Sequence, residues 1–126
     1  KDFERIADEA HSIARKSYRL LTTEGSLKNE LNLREMGALA CQLVKDSITC
    51  FVEEDIDKAF LILKKDHEID AINQKHFDNL SNEAMRADMS DTARFNTLLI
   101  SKSIERIGDH AKNIADEVIF LLNGDQ

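Results

Sequence analysis

The sequence predicts an all-α protein built as an antiparallel bundle of long helices. Proline is absent and glycine occurs four times in 126 residues, and these are the two residue types that most often interrupt helices. Long helices with short connections favour antiparallel packing. In the last third of the chain, apolar residues recur at alternating spacings of four and three. This pattern predicts an apolar seam, that is, a helix face that is buried in a bundle. These residues are Ile100, Ile104, Ile107, Ala111, Ile114, Val118 and Leu121.

The pattern has few breaks, and they predict four helices. The Ser/Thr/Gly-rich stretch from 20 to 29 indicates a loop, and residues that commonly cap helices occur at each break. The helices are predicted over 2–21, 29–52, 55–88 and 91–123. The expected caps are Ser26 or Asn29, then Asp55, then Ser90 or Asp91, with Gly124 as the final stop.

Composition limits the class of protein. With 42% hydrophobic residues the chain can form the core of one domain, and no apolar run approaches the roughly 20 residues of a membrane span, so we expect a soluble domain. The chain begins at Lys1 in the middle of a helical pattern, without a signal peptide, and we expect it to be part of a longer protein. Its net charge of −7 argues against a nucleic-acid partner and favours a cation or a protein.

The two cysteines are not expected to form a disulfide. Cys41 and Cys50 lie nine residues apart within one predicted helix, which places them on opposite faces and about 13 Å apart along the axis. Free thiols and a reducing compartment such as the cytoplasm are therefore expected.

The start of the chain repeats a segment near its end. Residues 3–14 match residues 104–115 at seven of twelve positions. Each copy carries a Glu and an Asp four residues apart, and this spacing places both carboxylates on one helix face, beside the apolar seam. The identical pairs are Glu4/Glu105, Arg5/Arg106, Ile6/Ile107, Asp8/Asp109, Ala10/Ala111, Ile13/Ile114 and Ala14/Ala115.

The third helix places acidic residues where a bundle is normally apolar. Asp66, Asp70 and Asn73 occupy three consecutive inward positions. A buried carboxylate is costly unless it is paired, hydrogen bonded or bound to metal. The neighbouring stripe of the last helix offers mostly further carboxylates, which would repel these, so a cation is the expected partner. The predicted inward positions are Ile56, Ala59, Leu63, Asp66, Asp70, Asn73, Phe77, Leu80 and Ala84.

These observations predict a metal site formed by Asp66, Asp70, Glu105, Asp109 and Asn113. All the donor atoms are oxygens, which favours hard ions such as Fe³⁺, Mn²⁺, Mg²⁺ or Ca²⁺.

Other interpretations also remain open. Lys102 or Arg106 could neutralise the acids through ordinary salt bridges in a metal-free helical scaffold. A ferritin-like di-iron enzyme would need two Glu-x-x-His motifs, and the sequence contains none. The string DEAH at 8–11 resembles a helicase motif, but no phosphate-binding loop accompanies it. We therefore expect no enzymatic activity.

Three segments resemble the PhoU family. ERIGDHAKNIADEVIFLLNG at 105–124 resembles its C-terminal motif helix, and DHEIDAI at 66–72 resembles its Asp-x-x-x-Asp helix. The segment FVEEDIDKAFLIL at 51–63 has the family's spacing. The resemblance covers residues 3–124, and it implies two tandem three-helix repeats. Residues 1–22 would be the last helix of a preceding repeat, and residues 27–124 a complete repeat.

The resemblance also implies a cofactor, namely a multinuclear metal cluster, most often of iron, with manganese, zinc, magnesium or calcium as alternatives. Each repeat would carry one acidic motif pair. Glu4 and Asp8 are therefore a candidate second site. In this first copy Ala7, Glu9 and Ser12 depart from the family pattern, and the partner helix with Asp-x-x-x-Asp has no counterpart.

The function implied is regulation through protein contacts. PhoU proteins are cytoplasmic negative regulators of phosphate uptake and of the phosphate-starvation response, and they contact the phosphate ABC transporter and its sensor histidine kinase. The resemblance thus implies a place at the inner face of the membrane, with membrane contact only through protein partners. A PhoU-like domain of a sodium/phosphate cotransporter is the alternative. The exposed seam of the first helix would also allow a homo-oligomer.

Overall fold

The computed structural model describes residues 1–24, 33–80 and 91–124, and the elements within these ranges are helices, which confirms the all-α prediction. No described helix is long and apolar enough to cross a membrane. Residues 81–88, predicted as helix, and the expected caps Ser26, Asn29 and Ser90 lie outside the described ranges. The helices are α1 (Asp2–Glu24), α2 (Leu33–Glu53), α3 (Ile56–Leu80) and α4 (Asp91–Asn123).

A two-residue connection reverses the chain between α2 and α3. Glu54 adopts a left-handed conformation with φ of 55°, and the next amide, that of Asp55, donates to the carbonyl of Cys50 at 3.1 Å. Asp55 then begins α3, because its Oδ1 accepts a hydrogen bond of 3.0 Å from the amide of Lys58. This is the geometry of a helix cap, and the prediction for Asp55 is confirmed.

Two further helix ends can be compared with the sequence: α4 ends at a glycine, and α1 continues beyond its predicted end. Gly124 has a φ of 69° and donates its amide to the carbonyl of Phe120 at 2.8 Å, so it ends α4 as expected. Asp91 is the first residue of α4. α1 is helical through Glu24, three residues beyond the predicted end at 21, because the sequence has no helix-breaking residue before Gly25.

The core is organised around α4, which packs against α1, α2 and α3, while α2 and α3 also pack against each other. Six of the seven predicted seam residues of α4 are buried, from Ile100 to Val118. The seventh, Leu121, is 67% exposed, so that prediction is wrong. Residues 120–124 are exposed on every face, which shows that the bundle contacts of α4 end near Val118.

The buried face of α3 is broader than the predicted seam. Ile62 and Ile69 are fully buried, although they lie outside that seam, whereas Leu63 is half-buried and Phe77 is 56% exposed. The inward prediction for Phe77 is therefore wrong. The cause is that α3 contacts both α2 and α4, so its buried surface spans two helix interfaces. Asp66 lies within that surface.

The apolar side of α1 is only partly covered. Ile6 and Ile13 pack against the core cluster while remaining half-buried, and Ala10 is exposed. An apolar groove of about 610 Å³ lies between α1, α2 and α4. The ring of Phe3 also meets that of Phe51 of α2 edge to face, with 6.2 Å between the ring centroids. The predicted seam of α1 therefore faces the bundle without being enclosed by it.

Candidate metal centre

Three carboxylates converge at the interface of α3 and α4. One oxygen each from Asp66, Asp70 and Asp109 lies within 4.8 Å of the others. Asp66 and Asp70 share one face of α3 because they are four residues apart. Asp66 is buried, Asp70 half-buried and Asp109 exposed, so the group extends from the core to the solvent. Within the described ranges it is the one group of three His, Cys, Asp or Glu side chains that converge in this way.

Asp66 provides the strongest electrostatic signal of the group. Asp66 is only 2% exposed. Its Oδ1 is buried without a hydrogen-bond partner in the described part of the chain. Burial, and then repulsion from Asp70 and Asp109, raises the pKa of Asp66 to about 6, although Lys112 and His67 oppose this shift. An unsatisfied buried carboxylate oxygen is costly, so this atom is suited to accept a cation.

The other two carboxylates are shifted in the same direction. Burial and then the charge of Glu105 raise the pKa of Asp70. The pKa of Asp109 is also raised, by burial and then by Glu105 and Asp70. Each of the three acids thus has at least one neighbouring carboxylate that disfavours its ionisation, and a bound cation would remove that penalty.

Glu105 lies beside the group but is held by protein partners. Its Oε2 accepts a hydrogen bond of 3.1 Å from Nδ2 of Asn73, and its Oε1 is paired with Lys102. The hydroxyl of Ser101 donates to Oδ1 of Asn73 at 2.8 Å, which fixes the orientation of the amide. Glu105 as a metal ligand remains a prediction, since its carboxylate does not belong to the converging group of three.

The remaining predicted ligands are exposed side chains of α4 and α1. Asn113 is exposed on α4 and borders a surface depression with Phe60 and Leu63. Glu4 and Asp8 are exposed on α1, and neither belongs to the converging carboxylate group. These assignments stay predictions.

The nearby cations and histidines have distinct partners. Lys102 pairs with Glu105 as anticipated, whereas Arg106 lies 4.0 Å from Glu9 of α1. Nδ1 of His110 lies 3.1 Å from Oδ1 of Asp2, on the side of α4 that faces α1.

Sequence reasoning missed two residues at this interface. Asn73 was recognised as a polar inward position, but not as the donor to Glu105. The sequence pattern gives Gly108 no role of its own, although a side chain there would approach Oδ1 of Asp66 at 3.0 Å. A glycine inside a strong helical pattern was the available signal, because it lowers helix stability unless close packing requires it.

Together, the fold and the site define a class of protein, namely a bundle of long helices that holds a cluster of carboxylates between two of its helices. Because all the donor atoms are oxygens, the cluster is suited to hard cations. The PhoU domain family model matches residues 33–118. The chain belongs to the PhoU family.

Curated relatives and a solved structure agree with this assignment. The phosphate-specific transport system accessory protein PhoU homolog of Xylella fastidiosa strain 9a5c is 37% identical over 125 residues, which are 99% of this chain and 52% of the relative. PhoU homolog 1 of Thermotoga maritima is 34% identical over 98% of this chain and 53% of its own length. The crystal structure of PhoU from Pseudomonas aeruginosa superposes with a TM-score of 0.90 at 31% identity, covering 98% of this chain and 59% of that one. The chain thus spans about half the length of the curated relatives it matches.

Proposed function

We propose that this chain is a metal-binding regulatory domain that acts through protein contacts on phosphate uptake and on phosphate-starvation signalling. The observation that carries the metal part of the proposal is Oδ1 of Asp66, a buried oxygen without a hydrogen-bond partner among the described residues, in a group with Asp70 and Asp109. A structural ion pair would have given this oxygen a protein donor.

The residues present fit a hard cation. Asp66, Asp70 and Asp109 would hold it, with Glu105 and Asn113 as further candidate ligands. When bound, the metal would supply positive charge that lets these acids remain ionised together. Because the ligands come from both α3 and α4, metal binding would also join the two helices more firmly. Iron is the proposed metal, with manganese, zinc, magnesium and calcium as alternatives.

The proposed partners follow from the relatives. The Xylella and Thermotoga proteins are named accessory proteins of the phosphate-specific transport system. This supports a contact between the present chain and a phosphate ABC transporter. The PhoU resemblance adds the associated sensor histidine kinase as a second proposed partner, on the cytoplasmic side. In this proposal the chain performs no chemistry of its own.

Metal content tests the site. Elemental analysis by plasma mass spectrometry would be made on purified wild type, Asp66→Asn, Asp109→Asn and the control Asp116→Asn, which changes an exposed acid of α4 outside the group. We expect one or more metal ions per chain in the wild type and the control, and none in the two site variants, with helicity by circular dichroism retained in all four. Stoichiometric metal in the site variants would show that the assignment is wrong.

Partner binding tests the regulatory role. Immobilised chain, with and without chelation, would be exposed to detergent-solubilised phosphate transporter, and capture that depends on bound metal is the expected result. The scaffold alternative makes the opposite prediction: no metal is taken up, and Asp66→Leu combined with Asp70→Leu stabilises the fold because two unpaired carboxylates are removed.

A further inference from the structure

Gly108 occupies an unusually crowded position for a residue without a side chain. It lies within α4, and a Cβ atom built on it would be 3.0 Å from Oδ1 of Asp66, 3.3 Å from Cδ1 of Ile69 and 3.8 Å from Cδ1 of Leu43. These neighbours belong to α3 and α2, so three helices meet at this glycine. Glycine weakens a helix relative to alanine. The close approach of Asp66 explains why a glycine nevertheless occupies position 108.

The atom nearest to Gly108 is also the orphaned atom of the site. Oδ1 of Asp66 is buried and has no hydrogen-bond partner in the described ranges, so no donor there fixes its position. The surface of Gly108 limits how far this oxygen can approach α4. The residue after Gly108 is Asp109, whose carboxylate belongs to the same converging group. A displacement of Asp66 would therefore change the separation of the two carboxylates directly.

We propose that Gly108 is a positioning residue for the metal centre: the absence of a side chain at Gly108 sets the depth of the Asp66 carboxylate against α4. The inference rests on the proposed metal binding at Asp66, Asp70 and Asp109. It assigns Gly108 no contact with the metal.

The chain supplies its own comparison. Gly37 also lies inside a helix, α2, and a Cβ atom there would meet nothing within 4 Å. In the repeated segment on α1 the position that corresponds to Gly108 is Ala7, which is exposed. The copy of the motif that has alanine at this position belongs to no converging carboxylate group within the part of the chain that the structure describes.

The test compares Gly108→Ala with the matched change Gly37→Ala. Mn²⁺ binding would be measured by titration calorimetry, and thermal unfolding would be followed by circular dichroism in the presence of a chelator. Gly37→Ala should raise the melting temperature and leave the Kd for Mn²⁺ unchanged. Gly108→Ala should weaken Mn²⁺ binding about 10- to 100-fold, the usual effect of disturbing a residue that orients a metal ligand, with helicity retained.

Two further variants separate positioning from packing and guard against a folding defect. Adding Ile69→Val to Gly108→Ala removes the Cδ1 contact but not the one with Asp66, and it should leave Mn²⁺ affinity low. In an Asp66→Ala background the close contact with Oδ1 is absent and only the one with Ile69 remains, so Gly108→Ala should be less destabilising there than in the otherwise wild-type chain.

The outcomes distinguish the two hypotheses. Wild-type Mn²⁺ affinity in Gly108→Ala, or its recovery on adding Ile69→Val, would overturn the role of Gly108 and leave the metal site in place. A wild-type protein that takes up no Mn²⁺ would overturn the proposed metal function together with the positioning role.

Discussion

Asn73 of α3 and Glu105 of α4 are joined across the helix interface by a hydrogen bond of 3.1 Å, in which the amide Nδ2 donates to Oε2. Ser101 donates to the other end of the same amide at 2.8 Å. Asn73 therefore connects a serine and a carboxylate of α4 with α3, at the edge of the acidic group. Of the three polar residues predicted to face inward on α3, namely Asp66, Asp70 and Asn73, it is the one without a charge.

Replacing Asn73 by alanine should destabilise the protein by about 1–2 kcal/mol, because two hydrogen bonds are lost: the half-buried one to the charged Glu105 and the one from Ser101 to the amide oxygen. Urea unfolding in the presence of a chelator would measure the change. Gln74→Ala is the matched control, since Gln74 is exposed and bonds only to the exposed Asp78 within the described interactions. Equal effects of the two changes would contradict a structural role for the Asn73 contact.

The acidic group should make the chelated protein less stable as the pH rises. Burial raises the pKa of Asp66 from its ordinary value of 3.8 to about 6, so between these pH values the folded chain holds a proton that the unfolded chain releases. The stabilisation is fully present below pH 3.8 and is lost as the pH rises through about 6. For Asp66 it amounts to about 2–3 kcal/mol, and the raised pKa values of Asp70 and Asp109 act with the same sign.

The measurement is urea unfolding of wild type and Asp66→Asn between pH 4 and 7.5. Wild type should lose stability relative to the variant as the pH rises, because asparagine does not titrate. Saturating Mn²⁺ should abolish this trend, since a metal binds the ionised acids. A difference between the two proteins that stays constant with pH would show that Asp66 titrates normally.

Glu54→Gly should stabilise the fold by about 1 kcal/mol, because Glu54 has a left-handed backbone with φ of 55° that costs little for glycine alone. Glu53→Gly is the control: Glu53 is the last residue of α2, where glycine should destabilise the helix. Thermal unfolding would compare the two. A loss of stability in both variants would mean that the Glu54 side chain contributes more than its backbone costs.

The two cysteines should differ sharply in reactivity. Both are free, as the sequence predicted, and the structure shows that Cys41 is exposed and Cys50 buried. Burial, with repulsion from Asp55 and Asp46, raises the pKa of Cys50 and so disfavours its reactive thiolate. Mass spectrometry after brief treatment with iodoacetamide should show one adduct on native protein and two after denaturation. Cys41→Ser should remove the native adduct, and its persistence would show that Cys50 is accessible.

The sequence predicted the helices and the acidic group because both depend on periodicity. Asp55 and Gly124 act where expected, since capping and left-handed stops depend on residues close in sequence. Asp66 was correctly placed on the inward face of α3. The errors at Phe77 and Leu121 have another origin: a periodic seam does not reveal how many neighbours a helix has, or where along its length those neighbours end.

The pairing of Asn73 with Glu105, and the approach of Asp66 to Gly108, could not be predicted from periodicity. Both depend on the rotation and the axial offset of α3 relative to α4. A change of one residue in that offset moves a helix by 1.5 Å, which is enough to separate the donor and the acceptor of a hydrogen bond. Sequence patterns define faces, whereas packing defines which atoms on those faces touch.

The position of α4 between the other three helices affects how the protein opens. α1 packs chiefly along α4, and the carboxylate group lies on the α3 side of that helix. Detachment of α1 would expose the groove while leaving Asp66, Asp70 and Asp109 assembled. The amides of α1 should therefore exchange with solvent through local opening at a lower free energy than those of the buried α3 and α4 interface. Release of one helix and loss of the carboxylate centre are thus separate events, each with its own equilibrium.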